Sequence, residues 1–316
     1  MLKHIIKTVF TGFLNLFLIS ILVFSIIHLL PGDPITIMFG IWEQNPEQIE
    51  FLRHKYGFDL PIHIQYFRWL MNVLQGNIGE SIRYHEPAFK LIFERMPATL
   101  WLVFGSMIIS LSLSIPIGVI TASKPHSKRD YLGMIFALIG ISTPGFWLGL
   151  MLILVFSLYL KLLPSYGFVD PLQNPIEGIR RLLLPSLTLG VILAGTVTRT
   201  ARSSMLEVLR LDYIKFARLK GMPERLVLFK HALRNALIPI ITIAGIQTGY
   251  LLGGSVIIEQ IFGWPGMGRL ILQATYTRDY FLLQGSILVY AALFFVVNLI
   301  VDLIYVIVDP RIRYER

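Results

Sequence analysis

The chain has 316 residues, of which 55% are hydrophobic and only 15% are charged. Since soluble proteins average about a quarter charged residues, this composition excludes an ordinary soluble enzyme and predicts an integral membrane protein. The chain carries 28 Lys and Arg against 19 Asp and Glu and contains no Cys, which also excludes disulfides, cysteine metal sites and thiol chemistry.

Six runs free of Asp, Glu, Lys and Arg follow one another, and each is near or above the roughly 17 to 25 residues that cross a bilayer as a helix. The runs are residues 8–32, 96–123, 131–160, 182–198, 235–258 and 280–301, and the last continues past Asp302 to residue 308. The first run follows Lys3 and Lys7 like a signal peptide, but it is too long for one, so we expect it to be retained. The sequence therefore predicts an all-α membrane protein with about six transmembrane helices.

The positive charges fall mainly on one side of these runs. The loops on the same side as the two termini hold 17 of the 28 Lys and Arg. The opposite side holds 11, of which 6 lie in residues 33–95, a segment too long for the orientation rule to count. Both termini are therefore predicted to be cytoplasmic, in a multi-pass protein of the cytoplasmic (inner) membrane. Topology explains the basic excess, so no nucleic-acid partner is predicted.

The segment after the first run has helical signals of its own. Asn45 and Pro46 fit the N-cap and first position of a helix that stops at Gly57, and a second helix extends from near Pro61 to Gly76. The segment is thus predicted to be a small folded external domain. The predicted organisation is residues 1–32 for the cytoplasmic N-terminus and first transmembrane helix, 33–95 for the external helical segment, and 96–316 for a five-helix core with a cytoplasmic loop at 199–234.

The cytoplasmic loop 199–234 contains apolar side chains at three- and four-residue spacing, namely Leu206, Leu209, Tyr213 and Phe216. This spacing predicts one amphipathic helix that reaches Gly221, a residue suited to a left-handed C-terminal cap. Pro223 then restarts a helix whose apolar face consists of Leu226, Phe229 and Leu233. Such a helix-turn-helix either fits a groove of a cytoplasmic partner or lies on membrane lipid.

Ionisable side chains inside the predicted spans are few, and the candidates are His28 and Asp302. Since a charge near the bilayer centre costs at least about 2.5 kcal/mol, such groups often mark function. Asp302 either lines a pathway or pairs with a polar neighbour such as Asn298, and the second interpretation is favoured. The sequence contains no proton relay, protease motif or Gly-x-x-x-x-Gly-Lys-Ser/Thr phosphate loop. We therefore predict no catalytic residue, metal site or cofactor in this chain.

Small residues and prolines in the runs predict close packing and kinks. Gly245, Gly249 and Gly253 fall every fourth residue on one face of the fifth run. Such spacing lets another helix approach closely, either within this chain or from a second subunit. Pro116, Pro144 and Pro239 lie inside or at the start of runs, where they remove hydrogen bonds and permit kinks.

Residues 213–221 and 231–235 resemble the coupling loop of ABC importer permeases, whose pattern is Glu-Ala-Ala, three residues, Gly, nine residues, then Ile-x-Leu-Pro. The matching positions are Ala217, Gly221 and Leu233. The departures are Lys215 and Phe216 for the leading Glu-Ala, His231 for Ile, and Arg234 for Pro. The resemblance implies that this loop contacts an ATPase, through Tyr213, Phe216, Ala217, Gly221, Leu233 and Arg234.

Other segments are similar to landmarks of the dipeptide, oligopeptide and glutathione permease group, in the same order along the chain. They are Leu-Pro-Gly-Asp-Pro at 30–34, Ile-Ser-Thr-Pro at 141–144, Leu-Pro-Ser-Leu at 184–187, residues 259–268, and Asp-Pro-Arg at 309–311. The resemblance is to the first of two related permease subunits. It implies the type I ABC importer permease architecture, a second homologous permease subunit, two cytoplasmic ATPase subunits and an external substrate-binding protein.

The resulting hypothesis is a permease subunit that moves short peptides inward by alternating access while ATP is hydrolysed in partner chains. A first alternative keeps the architecture and changes the cargo to nickel or a metal chelate, although the spans offer no His or Cys cluster for a bare metal. A second alternative is a passive channel that conducts without ATPase partners. Cargo identity is not readable from the sequence.

Overall fold

In the computed structural model of the protein, residues 2–29, 35 and 46–308 are described. These residues form helices and loops, with an isolated antiparallel bridge between Glu80 and Pro87. The helices are α1 (Leu2–Leu29), α2 (Pro46–Tyr56), α3 (Ile62–Leu74), α4 (Ala88–Ser123), α5 (Lys128–Ser142), α6 (Gly145–Leu152, continued by a π-helical segment Ile153–Tyr159), α7 (Pro175–Leu209), α8 (Asp212–Leu219), α9 (Glu224–Leu226, continued by a π-helical segment Val227–Ala232), α10 (Leu233–Ile261), α11 (Met267–Tyr276) and α12 (Tyr280–Val308). The all-α prediction is confirmed.

Five stretches of the described chain are long and apolar enough to cross a membrane as helices, and α5 with α6 forms a sixth, bent candidate. The five stretches are Thr8–Ile26, Ala88–Ser123, Pro175–Leu209, Glu224–Gly253 and Tyr280–Val301. These candidates coincide with the six apolar runs, so the prediction of about six spans is confirmed.

The third predicted span is not one straight helix. Its two halves, α5 and α6, are bent by 105° relative to each other. Thr143 between them is extended, with φ −81° and ψ 125°, because a following proline disfavours the helical conformation. Pro144 has no N–H with which to continue the hydrogen-bond ladder, and α6 starts at Gly145. The sequence contained the proline at which the span breaks, whereas the angle between α5 and α6 depends on what each helix packs against.

The chain folds into two compact units, and unit 1 comprises Ala98–Trp264 and the segment that begins at Val297. Its central helix is α7, which packs against α5 and α10. A Cβ added to Gly140 of α5 would lie 2.8 Å from a backbone oxygen of α7, and one added to Gly195 would lie 2.6 Å from a backbone oxygen of α5. These two glycines therefore permit the close approach of α5 and α7.

Unit 2 comprises Leu2–Pro97 and Pro265–Val296. The two helices predicted after the first run are confirmed as α2 and α3, and the glycines that follow them, Gly57 and Gly76, have φ of 73° and 81°. Helix α3 packs on α1, where the hydroxyls of Ser20 and Tyr66 lie 2.8 Å apart. The core of unit 2 is a buried cluster made of Ala88, Leu91, Ile92, Met267, Leu270, Ala274, Tyr280, Leu282 and Leu283.

Candidate functional site

The loop predicted to couple to a partner begins where α7 ends. The prediction of one continuous amphipathic helix up to Gly221 is wrong, because α7 stops at Leu209 and α8 starts at Asp212. Leu211 between them is extended, with φ −70° and ψ 146°. A three- and four-residue spacing defines one face only while the helix axis continues, so this break divides the predicted apolar face between two helices.

The inner side of α8 is anchored in unit 1 by Ile214, which is fully buried although it lies outside the predicted face. It belongs to a cluster from α4, α7, α8, α10 and the segment that joins α9 to α10: Val119, Ala122, Met205, Ile214, Val227, Leu228, Ala232 and Ala236. Two predicted site residues, Ala217 and Leu233, pack against this cluster. They therefore hold α8 in place from within the chain.

The outer side of the same region carries apolar side chains that are exposed among the described residues. Phe216 is 62% exposed and Leu219 is 82% exposed. The exposed apolar residues of the loop are Leu211, Phe216, Leu219, Met222, Leu226 and Phe229, and we call this set the α8 surface. An exposed group of large apolar side chains is typical of a partner or membrane contact.

The turn between α8 and α9 is built on Gly221. Its φ is +75°, as the sequence predicted, and its N–H donates to the carbonyl oxygen of Arg218 over 2.9 Å. A Cβ added to Gly221 would meet nothing within 4 Å. The turn therefore requires glycine for its backbone conformation and not for space.

Polar contacts fix this turn from both ends. Arg218 donates two hydrogen bonds to the carboxylate of Glu224, at 3.1 and 2.7 Å, and this contact raises the pKa of the Arg218 guanidinium above its ordinary value. The amide of Asn235 donates to the hydroxyl of Tyr213 over 2.6 Å. Arg234, another predicted site residue, is exposed. The Arg218 and Asn235 contacts were missed, since sequence spacing across a turn does not report which side chains meet.

A second contact missed by the sequence analysis joins α5 to α7. Arg202 donates to both carboxylate oxygens of Asp130, at 2.6 and 2.7 Å. The Asp130 side chain is 5% exposed and that of Arg202 is 23% exposed. Asp130 also accepts a hydrogen bond from the backbone N–H of His126 over 2.9 Å. These partners satisfy the carboxylate within the chain.

Glu259 is the buried acid that the survey of the spans overlooked. It lies one residue beyond the fifth charge-free run, in α10, and is fully buried. Its carboxylate accepts hydrogen bonds from the hydroxyls of Thr99 and Ser255, both at 3.2 Å. Trp264 nearby in sequence is fully buried too, and its indole N–H donates to the carbonyl oxygen of Ala98 over 2.8 Å. The stretch flagged by resemblance at 259–268 thus contains buried anchors of unit 1.

The sequence analysis named two ionisable residues inside the spans, His28 and Asp302, and the structure describes the side chain of the first. The imidazole of His28 contacts the side-chain oxygen of Gln65 in α3, with 3.0 Å between Nε2 and Oε1. Asp302 belongs to α12, but its side chain lies outside the described residues, so its role stays a prediction.

Unit 1 also contains a groove of about 690 Å³ between α5, α6, α7 and α10. Its lining is mostly aliphatic, with three polar side chains from Thr196, Gln247 and Tyr250. Tyr250 is 70% exposed, and a Cβ on Gly253, one turn further along α10, would meet nothing within 4 Å. Among the described residues of unit 1, the predicted glycine face is therefore open at Gly253.

A multi-pass helical fold with an exposed apolar helix-turn-helix is typical of a membrane subunit that contacts other chains. The family model described as "Binding-protein-dependent transport system inner membrane component" matches residues 114–314, and the N-terminal model of the same transport systems matches residues 1–103. The chain belongs to this family of permeases of binding-protein-dependent ABC importers. It is an inner membrane transport component and not an ATPase, and the family works with ATPase and binding-protein partners.

The chain is similar over its whole length to curated relatives. It is 40% identical to the glutathione transport system permease protein GsiC of Salmonella typhimurium, with 100% of both chains covered. It is 43% identical to the oligopeptide transport system permease protein AppB of Bacillus subtilis, with 99% of this chain and 100% of the relative covered. Among solved structures, an inward-facing MetNI methionine ABC transporter matches with a TM-score of 0.58 at 19% identity, covering 69% of this chain and 96% of that chain. That match supports the fold alone.

Proposed function

We propose that this chain forms half of the membrane pathway of an importer for short peptides, including glutathione-like tripeptides. The support for this cargo is the full-length similarity, at 40% and 43% identity, to permeases named for glutathione and oligopeptide transport. The permease moves its cargo by alternating access as ATP binding and hydrolysis in partner chains drive it between outward-open and inward-open states.

The α8 surface supports the proposal that an ATPase binds this chain and powers transport. Phe216 and neighbouring apolar side chains point away from the core, whereas Ile214 and Ala217 hold α8 to unit 1. A helix anchored on one side and apolar on the other fits a groove of a cytoplasmic partner. In this assignment Phe216 contacts the ATPase, Tyr213, Ala217 and Leu233 hold the loop, Gly221 sets the turn, and Arg234 lies exposed beside it.

The groove in unit 1 supports the proposal of a second, homologous permease subunit. Its exposed wall around Tyr250, together with the open face at Gly253, offers a surface on which another bundle can pack closely. Thr196 and Gln247 then supply the hydrogen-bonding groups along a largely apolar pathway. Asp302 is assigned as a polar residue of the bundle, and Asp302→Asn is expected to keep most transport.

The proposed topology has both termini in the cytoplasm and residues 33–95 outside, because the short basic loops lie on the side of the termini. The proposed organisation is a cytoplasmic N-terminus and first transmembrane helix at 1–32, an external helical segment at 33–95, and a five-helix core at 96–316 with the coupling loop at 199–234. The chain contains no Cys, so a cysteine introduced at Ser127 or Glu86 is its only thiol. An impermeant maleimide applied to intact cells should label Glu86→Cys and not Ser127→Cys, and labelling of both would contradict the topology.

The two alternatives, a metal cargo and a passive channel, are each disfavoured by one observation. Within the described residues no group of three or more His, Cys, Asp or Glu could hold a metal ion, which favours peptides over a bare metal. The passive channel is disfavoured because the family depends on a binding protein.

The decisive experiment is purification of the complex that this chain forms in its own cells, followed by reconstitution into proteoliposomes. We expect two ATPase subunits, a second permease and ATP-dependent uptake of a radiolabelled short peptide delivered by its binding protein. Uptake of nickel but not of peptide would favour the first alternative. Peptide flux through the permease without ATP would favour the passive channel.

A further inference from the structure

Unit 2 contains a cavity of about 300 Å³ where the end of α1, helices α2 and α3, and the first turn of α12 come together. Ligand pockets measure roughly 300 to 1,000 Å³, so this cavity suits a small molecule. Its floor is buried, since Phe24, Ile78 and Gln284 are 8%, 4% and 3% exposed. The residues that line this cavity belong to unit 2, whereas those of the α8 surface and of the groove belong to unit 1.

One wall of the cavity is held rigid by Gln65. The amide nitrogen of Gln65 donates to the carbonyl oxygens of Leu60 and Phe58, at 2.7 and 3.3 Å. Its oxygen therefore faces His28, whose Nε2 lies 3.0 Å away and must carry the hydrogen. A wall that is already ordered loses little conformational freedom when a ligand binds.

Two cations and a buried indole N–H are among the polar groups around the cavity, beside amide and imidazole side chains. The indole N–H of Trp69 is buried and has no hydrogen-bond partner in the described part of the chain. Arg68 and Lys55 line the cavity, and no ion pair is seen for either among the described residues. Among the lining residues that the structure describes, none is Asp or Glu. Since a buried donor without a partner is costly, this lining favours an anion.

Aromatic rings supply the remaining surface. The lining includes Phe24, Tyr56, Phe58, Trp69 and Phe281, and the rings of Phe24 and Trp69 lie 5.6 Å apart between centroids. Aromatic faces beside cationic groups bind molecules that have an apolar part and an anionic part.

We propose that this cavity binds an organic anion in which a carboxylate or phosphate is joined to a small apolar group. Arg68, Lys55 and the Trp69 N–H bind the anionic group, and the aromatic rings bind the apolar group. A short peptide with a free carboxylate and the headgroup of an anionic phospholipid both carry this chemistry. The inference does not rest on the proposed transport, because binding is measured on the permease chain alone.

The test uses the purified full chain in nanodiscs of neutral phosphatidylcholine. N-acetyl-phenylalanine is titrated by calorimetry against its amide, N-acetyl-phenylalaninamide, which lacks only the negative charge. Loss of a charge-assisted contact is expected to weaken binding of the amide about tenfold. Trp69→Phe keeps an aromatic ring and removes the N–H, so it should weaken binding of the acid while leaving the protein folded.

The variant carrying Lys55→Gln and Arg68→Gln should bind the acid about tenfold more weakly than the unchanged protein. Arg83→Gln is the matched control, because Arg83 is an exposed cation of the same unit and is not among the residues that line the cavity. The affinity of this variant for the acid should equal that of the unchanged protein. Equal affinity for acid and amide, or equal loss in Arg83→Gln, would overturn the proposal.

A second arm distinguishes the source of the anion. If phosphatidylglycerol in the nanodisc competes with the acid, and the Lys55 and Arg68 variant retains less of this lipid, the site is confirmed with a lipid as its occupant. If the lipid does not compete while the acid binds, the site is confirmed with a soluble occupant. If the acid does not bind and both proteins retain the lipid equally, the proposal is wrong.

Discussion

Two regions of unit 1 lie on the same, basic side of the predicted spans but differ in how their side chains are packed. Where α5 meets α7, the Asp130 and Arg202 charges are paired within the chain and largely buried. On the α8 surface, the side chains of Phe216 and Leu219 are mostly exposed and are not packed against other apolar residues of the described chain. The first region joins two helices of the unit, whereas we propose that the second contacts a partner. A mutation in the first should affect folding, and a mutation in the second should affect assembly or coupling.

The largest effect is expected at the ion pair. Asp130→Ala leaves the mostly buried Arg202 without a partner and should lower the free energy of unfolding by roughly 3 kcal/mol. Thermal unfolding of the detergent-solubilised protein measures this loss. Asp212→Ala is the control, because Asp212 and Lys215 form an exposed pair, with side chains 82% and 63% exposed. Equal stability of the Asp130 variant and the unchanged protein would show that the pair is not structural.

The next largest effect is expected for Gly221→Val. A β-branched residue at φ +75° costs about 1 to 3 kcal/mol, so the turn should reorient α8 against α9. We expect normal insertion into the membrane but ATP-driven uptake reduced about tenfold or more, in line with that free energy.

The matched control for this substitution is Gly76→Val, in the turn after α3. Gly76 has φ +81°, and a Cβ there also meets nothing within 4 Å, so the strain is the same at a site with no assigned coupling role. Loss of uptake in the Gly76 variant as well would mean that strain, and not the coupling turn, explains the result.

A moderate effect is expected for Phe216→Ala. Its side chain is 62% exposed, so the stability of the permease should hardly change. If the ring is buried against an ATPase, its loss should weaken retention of that subunit about tenfold, since burying a Phe contributes about 1.5 to 3 kcal/mol. Retention is measured by co-purification in graded detergent, with Phe51→Ala, 67% exposed in α2, as the control. Unchanged retention would remove the α8 surface from the interface.

The smallest effect is expected for Arg218→Gln. Arg218 and Glu224 are 41% and 53% exposed, and pairs of this kind contribute about 0 to 1 kcal/mol. Uptake should therefore fall less than about fivefold. If the α8 region instead lies on anionic lipid, Arg218→Gln should reduce uptake more than Phe216→Ala does, and Glu224→Gln should not reduce it.

Features that depend on neighbouring residues along the chain were readable before the fold was known. The apolar runs coincide with the candidate spans, because crossing a bilayer requires a fixed length of apolar helix. Gly57 and Gly221 were predicted as left-handed stops, since only the local backbone decides whether a residue can adopt positive φ. Pro144 was one of three prolines predicted to permit kinks, and a break lies there, whereas α4 and α10 continue through Pro116 and Pro239.

Features that depend on which faces meet were decided by the tertiary structure. Asp130 and Arg202 are 72 residues apart in sequence, and nothing near either one indicates the other. Periodicity placed Phe216 on an apolar face but could not tell that Ile214 would be buried and Phe216 exposed. The reason is physical, because a helical repeat fixes which side chains share a face, whereas contacts with other helices determine which face is covered. The sequence thus determined where the chain crosses the membrane and the turn at Gly221, whereas the packing of α4, α7 and α10 decided which side of α8 is left open.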